Sequence, residues 1–372
     1  MIKVGITGKG GFIGYHLYNT LNLFKDEFLL IEFDRSFFNE PLQLDSFVSS
    51  CDVIIHLAAL NRHNDPLVIY ETNSSLVKTL VSALERTSSK AHLIMSSTTQ
   101  EERDNLYGRS KKDGRILLSD WANQNNGRLT GLIIPNVFGP FGHPFYNSVV
   151  ASFCHQISRG ESPIIDVDVD LKLIYVGELV EKIIRVIRNN DNTHELLIPH
   201  TKEAKVSDLF DKLIYFQNSY QEKGEIPNLQ NEFEFNLFNT YRCYMDIASY
   251  FPKKLVQHLD ERGGFVEIAR HGIQGQTSFS TTLPEITRGN HYHTRKIERF
   301  SVIKGKALIK LRRIGTDDVH EFYLDGDYPA YVDMPIWYTH NIKNIGDDLL
   351  YTIFWINEPF DPNNPDTYFE IV

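Results

Sequence analysis

The sequence predicts two domains of different class, an α/β domain built on a parallel sheet and then an all-β domain. Three observations carry this. The chain opens Val4-Gly-Ile-Thr-Gly-Lys-Gly-Gly-Phe-Ile-Gly14, a short β-type run entering a turn with glycines at 8, 11 and 14. Segments of β and α type then alternate as far as Ile187. From Leu255 the pattern turns to short β runs punctuated by glycine. At roughly 150 residues per domain, 372 residues exceed one ordinary core, and 42% apolar residues suffice to bury two.

Composition narrows the function classes. A net charge of −10 leaves no general basic field, which argues against nucleic acid and anionic membrane surfaces as partners. Cys51, Cys154 and Cys243 are odd in number and widely spaced, as in a reduced cytosol and not a disulfide scaffold. No basic-then-apolar leader and no membrane-length apolar run is present, so a cytoplasmic protein is expected.

In the opening turn, Gly8, Lys9, Gly11, Phe12, Ile13 and Gly14 place bare backbone N–H groups at a helix N-terminus, where a pyrophosphate can close on them. Leu17, Leu21 and Phe24 share one helical face, and Phe28 to Phe33 reads as the second strand. Residues closing that strand meet the adenine ribose, an acid suiting a free 2′-hydroxyl and a base a 2′-phosphate. Asp34 and Arg35 stand side by side there; Arg35 with Lys9 favours NADP, and Asp34 opposes it. Asp45 begins a helix-like stretch leading to Asp52-Val-Ile-Ile-His-Leu-Ala-Ala59, whose small end residues, after Leu57 at Ala58 and Ala59, allow close passage of a cofactor. A helical segment spans Glu71 to Leu84, and a strand from Ala91 to Met95 stops at Ser96-Ser97-Thr98. Hydroxyls at such a strand end face the ligand crevice of an open α/β sheet.

Tyr107 and Lys111 follow at a spacing of four, so phenol and ammonium share a helical face, and the cation is expected to lower the phenol's pKa. The spacing alone is weak, because Tyr250 with Lys254 and Tyr292 with Lys296 repeat it. With 18 tyrosines about one accidental match is expected. Only Tyr107 follows a hydroxyl-bearing strand end.

Thr7 to Gly14, His56-Leu-Ala-Ala59, Ser97-Thr98, Tyr107 with Lys111, and Asn136-Val-Phe-Gly-Pro140 together resemble an extended short-chain dehydrogenase/reductase (SDR) of Rossmann type that acts on nucleotide sugars. The resemblance implies Thr98 or Ser97 as the carbonyl-orienting hydroxyl, Tyr107 as acid/base, and Lys111 as the residue that binds ribose and tunes Tyr107. Nine positions separate Thr98 from Tyr107, a short span for this family, and Ile133 stands where an arginine is common. Beyond it, Asn136 and Asn147 are candidate substrate ligands, Leu173 to Val176 a strand, and Glu178 to Ile187 and Val206 to Phe216 helices. Glu232 to Tyr250 carries no catalytic signal, and a boundary near 245 divides residues 1–245 from 246–372.

In the second domain β runs are expected at Phe265 to Ala269, Thr277 to Thr281, Phe300 to Ile303, Ala307 to Leu311, Glu321 to Leu324 and Tyr351 to Ile356. His291 and His293 fall on one face of a strand because side chains alternate. Glu298 can add a carboxylate and His340 a third imidazole, a set suited to zinc, with iron, nickel or manganese possible. The stretch resembles the cupin family, an all-β jelly-roll barrel. Glu285 and Trp337 stand at two motif glycines, and Trp337 is expected to narrow the pocket beside His340. Asp260-Glu-Arg-Gly-Gly-Phe-Val-Glu267 and Arg288-Gly-Asn-His291 are similar to the cupin-fold epimerases of 4-keto sugar nucleotides. A 4-ketone acidifies the proton at C3, and the base could be a metal-bound hydroxide, Lys296 or Tyr338.

With the closing Asp361-Pro-Asn-Asn-Pro-Asp-Thr-Tyr368, the two halves in this order resemble bifunctional enzymes of capsular polysaccharide synthesis. That resemblance implies C3 epimerisation of UDP-2-acetamido-2,6-dideoxy-hexos-4-ulose by a metal cupin, then NADPH-dependent C4 reduction to UDP-2-acetamido-2,6-dideoxy-L-talose, on the route to UDP-N-acetyl-L-fucosamine. The order follows from chemistry, since reduction destroys the ketone that epimerisation needs. A homodimer is expected. The competing readings are an NAD-retaining nucleotide-sugar 4-epimerase and a non-catalytic NADP- or sugar-sensing module with the cupin as its interaction domain.

Overall fold

A computed structural model of the chain describes residues 1–261, 263–269, 271 and 275–372. Arg262, in the Asp260-to-Glu267 stretch, lies outside the described residues. The chain divides into two compact units, one of residues 1–149 and 168–206, the other of residues 150–167 and 207–372.

The first unit is a Rossmann-like sheet. Six parallel strands are ordered β2-β1-β3-β4-β5-β8: β1 (Ile2–Thr7), β2 (Phe28–Ile31), β3 (Val53–His56), β4 (His92–Thr98), β5 (Arg128–Ile134) and β8 (Leu196–Leu197). A small sheet of β6 (Asn136–Phe138), β7 (Asp170–Tyr175) and β9 (Lys202–Lys205) stands beside it. Alternation along the central strands feeds two cores. Val4, Ile6, Ile55 and Ile94 pack on one face with Leu17 and Leu21 of α1 (Phe12–Leu21) and with Ile183 and Ile187 of a later amphipathic helix, Val176–Asn189. Ile54, Leu93 and Met95 pack on the other with α2 (Pro41–Ser50), α3 (Pro66–Arg86) and α4 (Leu106–Asn125). The sheet order reverses between β1 and β3, which places the crevice for ligands beyond their C-terminal ends.

Two boundaries differ from expectation for physical reasons. Strand β4 runs through Ser96, Ser97 and Thr98 instead of stopping before them, because all three pair with Leu132, Ile133 and Ile134 of β5. Strand β2 ends at Ile31, and Phe33 turns into a cluster with Phe37, Phe38 and Phe47.

The second unit holds two five-stranded antiparallel sheets. One orders Lys253–Lys254, Ala330–Met334, Glu298–Lys304, Leu350–Ile356 and Gln276–Thr282; the other orders Val319–Asp325, Lys306–Arg313, Tyr338–Asn344, Thr287–Tyr292 and Tyr368–Phe369. Phe300, Val302, Ile309, Leu311, Phe322, Val332 and Ile342 form the core of this all-β frame, consistent with a cupin. Strands Ala330–Met334 and Tyr338–Asn344 were not among the expected runs.

The compact units do not follow a single cut near 245. Residues 207–250 stay with the β-rich unit through a buried polar network. Arg299 grips Asp333 bidentately at 2.7 and 2.9 Å, Tyr220 donates to the same carboxylate at 2.6 Å, and Arg242 donates to the Met334 carbonyl at 3.0 Å. Arg299 also lies 3.7 Å over the Tyr331 ring. Asp333→Ala leaves the buried Arg299 guanidinium without its anion, so a loss of about 3–5 kcal/mol is expected. Urea unfolding reads it, and a midpoint equal to wild type contradicts it.

Candidate active sites

The opening glycine turn forms one wall of a cavity of about 740 Å³. Gly8 has φ +82, and a Cβ there would lie 2.8 Å from the Ala58 nitrogen. A Cβ on Gly14 would lie 2.2 Å from the Gly8 carbonyl oxygen, so both positions require glycine. Helix α1 starts on this turn with neither a side-chain cap nor an acid in its first turn, which leaves its N-terminus open to an anion. Gly8, Lys9, Gly11, Phe12, Ile13, Gly14, Arg35, Leu57, Ala58, Ala59, Ser97, Thr98, Tyr107 and Lys111 all line this cavity, as does Asp34.

Lys9 is not the free cation expected there. Its ammonium pairs with Glu32, just past β2, and Glu32 also accepts the Tyr18 phenol at 3.2 Å. Asp34 caps the following turn, accepting from the Ser36 amide at 2.8 Å. Arg35 is exposed at the rim and has no ion pair among the described residues.

The three hydroxyls of β4 separate by strand alternation. Ser97 donates to the buried carboxylate of Glu101, while Ser96 receives the Lys111 ammonium at 3.3 Å and donates to the His56 carbonyl. Among the described residues, Thr98 accepts only the Gln100 amide, at 3.2 Å. Burial pushes the Lys111 amine down to about 8, with Glu101 opposing. The Tyr107 phenol is pushed up to about 12 by burial and then by Tyr146. The expected lowering of the phenol by Lys111 is therefore absent, and desolvation at this half-buried position wins.

Neither Asn136 nor Asn147 lines the cavity. Asn136 donates to the Lys172 carbonyl at 3.3 Å and Asn147 to the Asn61 carbonyl at 3.4 Å. Tyr146, one residue before Asn147, lines it instead, its hydroxyl accepting the Asn61 amide at 3.3 Å. No spacing marked Tyr146, Glu32 or Glu101; each is placed by tertiary packing.

In the second unit His291, His293, Glu298 and His340 come together with their ligand atoms within 4.8 Å of one another. Register brings His291 opposite His340 on neighbouring strands. His293 and His340 each place Nε2 3.1 Å from the same Glu298 oxygen, and His291 Nε2 is 3.9 Å from it. The Nδ1 atoms of His293 and His340 face the carbonyls of Asp366 and Tyr338. A carbonyl only accepts, so each Nδ1 carries the proton, and two Nε2 atoms converge on one carboxylate. A divalent cation among them satisfies all of these atoms, so the donor set fits a metal. Burial and then His340 push His291 down to about 3, which keeps it neutral. Burial disfavours charge on Glu298, but the neighbouring His293 and His340 outweigh this and hold it well below the usual carboxylate range.

Glu285 and Trp337 both have φ +62, so the backbone keeps the left-handed conformation that glycine supplies in the resembled motif. Trp337 stacks on Tyr292, which alternates away from His291 and His293. Lys296 is buried with its ammonium on the Pro365 carbonyl at 2.8 Å, and Tyr338 packs against the core. Asp366 binds the amides of Thr294, Arg295 and Lys296, each at 3.1 Å, and so ties the C-terminal segment to the stretch between His293 and Glu298. No helix among the described residues is long and apolar enough to cross a membrane.

Residues 4–198 match the NAD dependent epimerase/dehydratase family, and residues 258–368 match the polysaccharide biosynthesis C-terminal domain. A curated relative, UDP-2-acetamido-2,6-beta-L-arabino-hexul-4-ose reductase of Pseudomonas aeruginosa, is 33% identical over 99% of this chain and 98% of its own length. Among solved structures, the capsular polysaccharide assembling protein CapF from Staphylococcus aureus is 35% identical, with both chains covered in full and a TM-score of 0.63. RMD from Pseudomonas aeruginosa, solved in complex with NADPH, covers 59% of this chain and 83% of its own at 21% identity and TM-score 0.53, a likeness of fold.

Proposed function

For a chain that belongs to the NAD dependent epimerase/dehydratase family and resembles CapF along its whole length, we propose a bifunctional enzyme of UDP-sugar metabolism in capsular or surface polysaccharide synthesis. The β-rich unit epimerises C3 of a UDP-linked 4-keto-6-deoxy amino sugar, UDP-2-acetamido-2,6-dideoxy-hexos-4-ulose, and the Rossmann-like unit then reduces C4. The observation that carries this is the pairing of a Thr98/Tyr107/Lys111 cavity with a three-histidine, one-carboxylate cluster in one chain.

NADPH, when bound in the glycine cradle, supplies the hydride. Thr98, whose hydroxyl oxygen takes one backbone amide, orients the C4 carbonyl. Tyr107, protonated across the working pH range because burial raises its pKa, gives its proton to the developing alkoxide. Lys111 holds a positive charge beside it. Arg35 is the residue proposed to meet a 2′-phosphate, which favours NADPH over NADH. In the second unit, a divalent cation, zinc in this reading, supplies Lewis-acid stabilisation to the enolate formed at C3 and C4. His291, His293, Glu298 and His340 hold it, and Lys296 is the proposed proton carrier of that site. The working division remains residues 1–245 for reduction and 246–372 for epimerisation, with 207–245 built into the base of the second unit. A homodimer is part of the proposal, and light scattering at twice the 43.0 kDa chain mass supports it.

The test is cofactor stoichiometry. One NADPH oxidised per keto sugar consumed is expected, with NADH a poorer donor. Turnover that leaves NADPH unconsumed would favour the NAD-retaining 4-epimerase.

A pH effect follows from Lys111. The amine holds its proton only below about 8, so the ammonium is present at neutral pH and lost as pH rises. Reduction is expected to slow as pH passes through about 8. In Lys111→Met the rate is low throughout and that limb is gone; a limb at the same pH in the variant rules out this origin.

A further inference from the structure

The network behind the reduction cavity holds a residue with no role assigned above. Tyr107, Lys111 and Arg115 recur at every fourth position of α4, so one face presents phenol, ammonium and guanidinium in succession. Lys111 reaches Ser96 at 3.3 Å. Arg115 grips Glu101 as a fork, Nε to Oε1 at 3.0 Å and Nη2 to Oε2 at 2.6 Å, and Glu101 accepts the Ser97 hydroxyl. Ser97, Glu101 and Arg115 are all buried. Glu101 sits in the single 3-10 turn Thr99–Glu102 that joins β4 to α4. This turn packs directly on the helix, since a Cβ on Gly108 would lie 2.1 Å from the Gln100 carbonyl oxygen.

We infer that Glu101 is a positioning residue for the reduction, clamping the strand end at Ser97 to the helix of Tyr107 and Lys111 through Arg115. The inference rests on the reduction proposed above. It accounts for the nine-position span from Thr98 to Tyr107: one tight turn suffices because a buried ion pair, not loop length, fixes strand end against helix. It also accounts for the division of labour on β4, where Ser97 is committed to the clamp and Thr98 is left for substrate.

Glu101 has a second, electrostatic effect. The groups facing Lys111 are His56 from β3, Ser96 from β4, Glu101 from the turn and Tyr107 on its own helix. Among the described residues Glu101 is the anion that acts on Lys111, opposing the effect of burial. Burial disfavours the charge on Glu101 itself, but Arg115, the Ser97 hydroxyl and Lys112 outweigh it and keep the carboxylate ionised.

Glu101→Gln keeps the shape and removes the charge. Its kcat for keto-sugar reduction is expected to fall about tenfold, with KM for NADPH changed less than about twofold. The alkaline limb of the reduction is expected to move to lower pH by about half a unit or more. Glu101→Asp should return the limb toward its wild-type position. A limb that stays in place overturns the inference, even where kcat falls, because packing damage alone gives that result. If Glu101→Gln does not fold, Glu101→Gln with Arg115→Gln neutralises both halves of the pair; the limb is then expected to move in the same direction but by less, because a cation is lost with the anion, and a limb at its wild-type position overturns the inference. A wild-type enzyme that leaves NADPH unoxidised defeats the functional reading itself, and this is distinguishable because it needs no substitution.

Discussion

Tyr107→Phe is expected to lower reduction of the 4-keto sugar by about 10²–10⁴-fold, the usual contribution of a positioned general acid. The substitution removes one oxygen from a half-buried side chain at the cavity wall and leaves the glycine cradle untouched. NADPH binding, followed by its fluorescence, should therefore stay near wild type, which separates lost chemistry from lost cofactor. The phenol's raised pKa, up to about 12, makes it a proton donor and not a base at neutral pH, as reduction requires. Exchange at C3 should continue in this variant, because the second site does not use Tyr107. NADPH oxidation at the wild-type rate would remove Tyr107 from the mechanism.

His291→Ala is expected to reduce C3 proton exchange by more than about 100-fold, the upper end of what loss of a ligand's supporting hydrogen bond costs. His291 is the most exposed of the three histidines and the farthest from Glu298, so its loss should leave the fold standing. The other two histidines are held by strand register and by the Asp366 and Tyr338 carbonyls. Chelation of the wild-type protein should give the same loss, restored by adding a divalent cation back. Deuterium entering C3 at an unchanged rate in both cases would mean that the cluster is structural.

The sequence made the chemistry legible wherever it depends on local spacing. The glycine turn, the Tyr107 and Lys111 pair, and the histidines at 291 and 293 owe their geometry to a turn, a helix and a strand, whose periods can be read directly. It was less legible where long-range packing decides. Glu32 captures Lys9 from 23 positions away, and Glu101 meets Arg115 from 14. Tyr146 displaced Asn147 as the cavity residue because the loop's direction cannot be read from composition. Burial also reversed an electrostatic expectation at Tyr107, since desolvation grows with depth in a way that spacing does not register. Residues 207–245 pack with the β-rich unit for the same reason: the Tyr220, Arg242, Arg299 and Asp333 network joins segments 113 positions apart.

The central claim is that one chain first re-sets C3 and then reduces C4. NMR of the product formed from the 4-keto UDP-sugar with NADPH in deuterated water tests both steps at once. The account predicts deuterium at C3, a reduced C4 and the inverted C3 configuration in the same molecule. A reduced C4 with protium retained at C3 would contradict it.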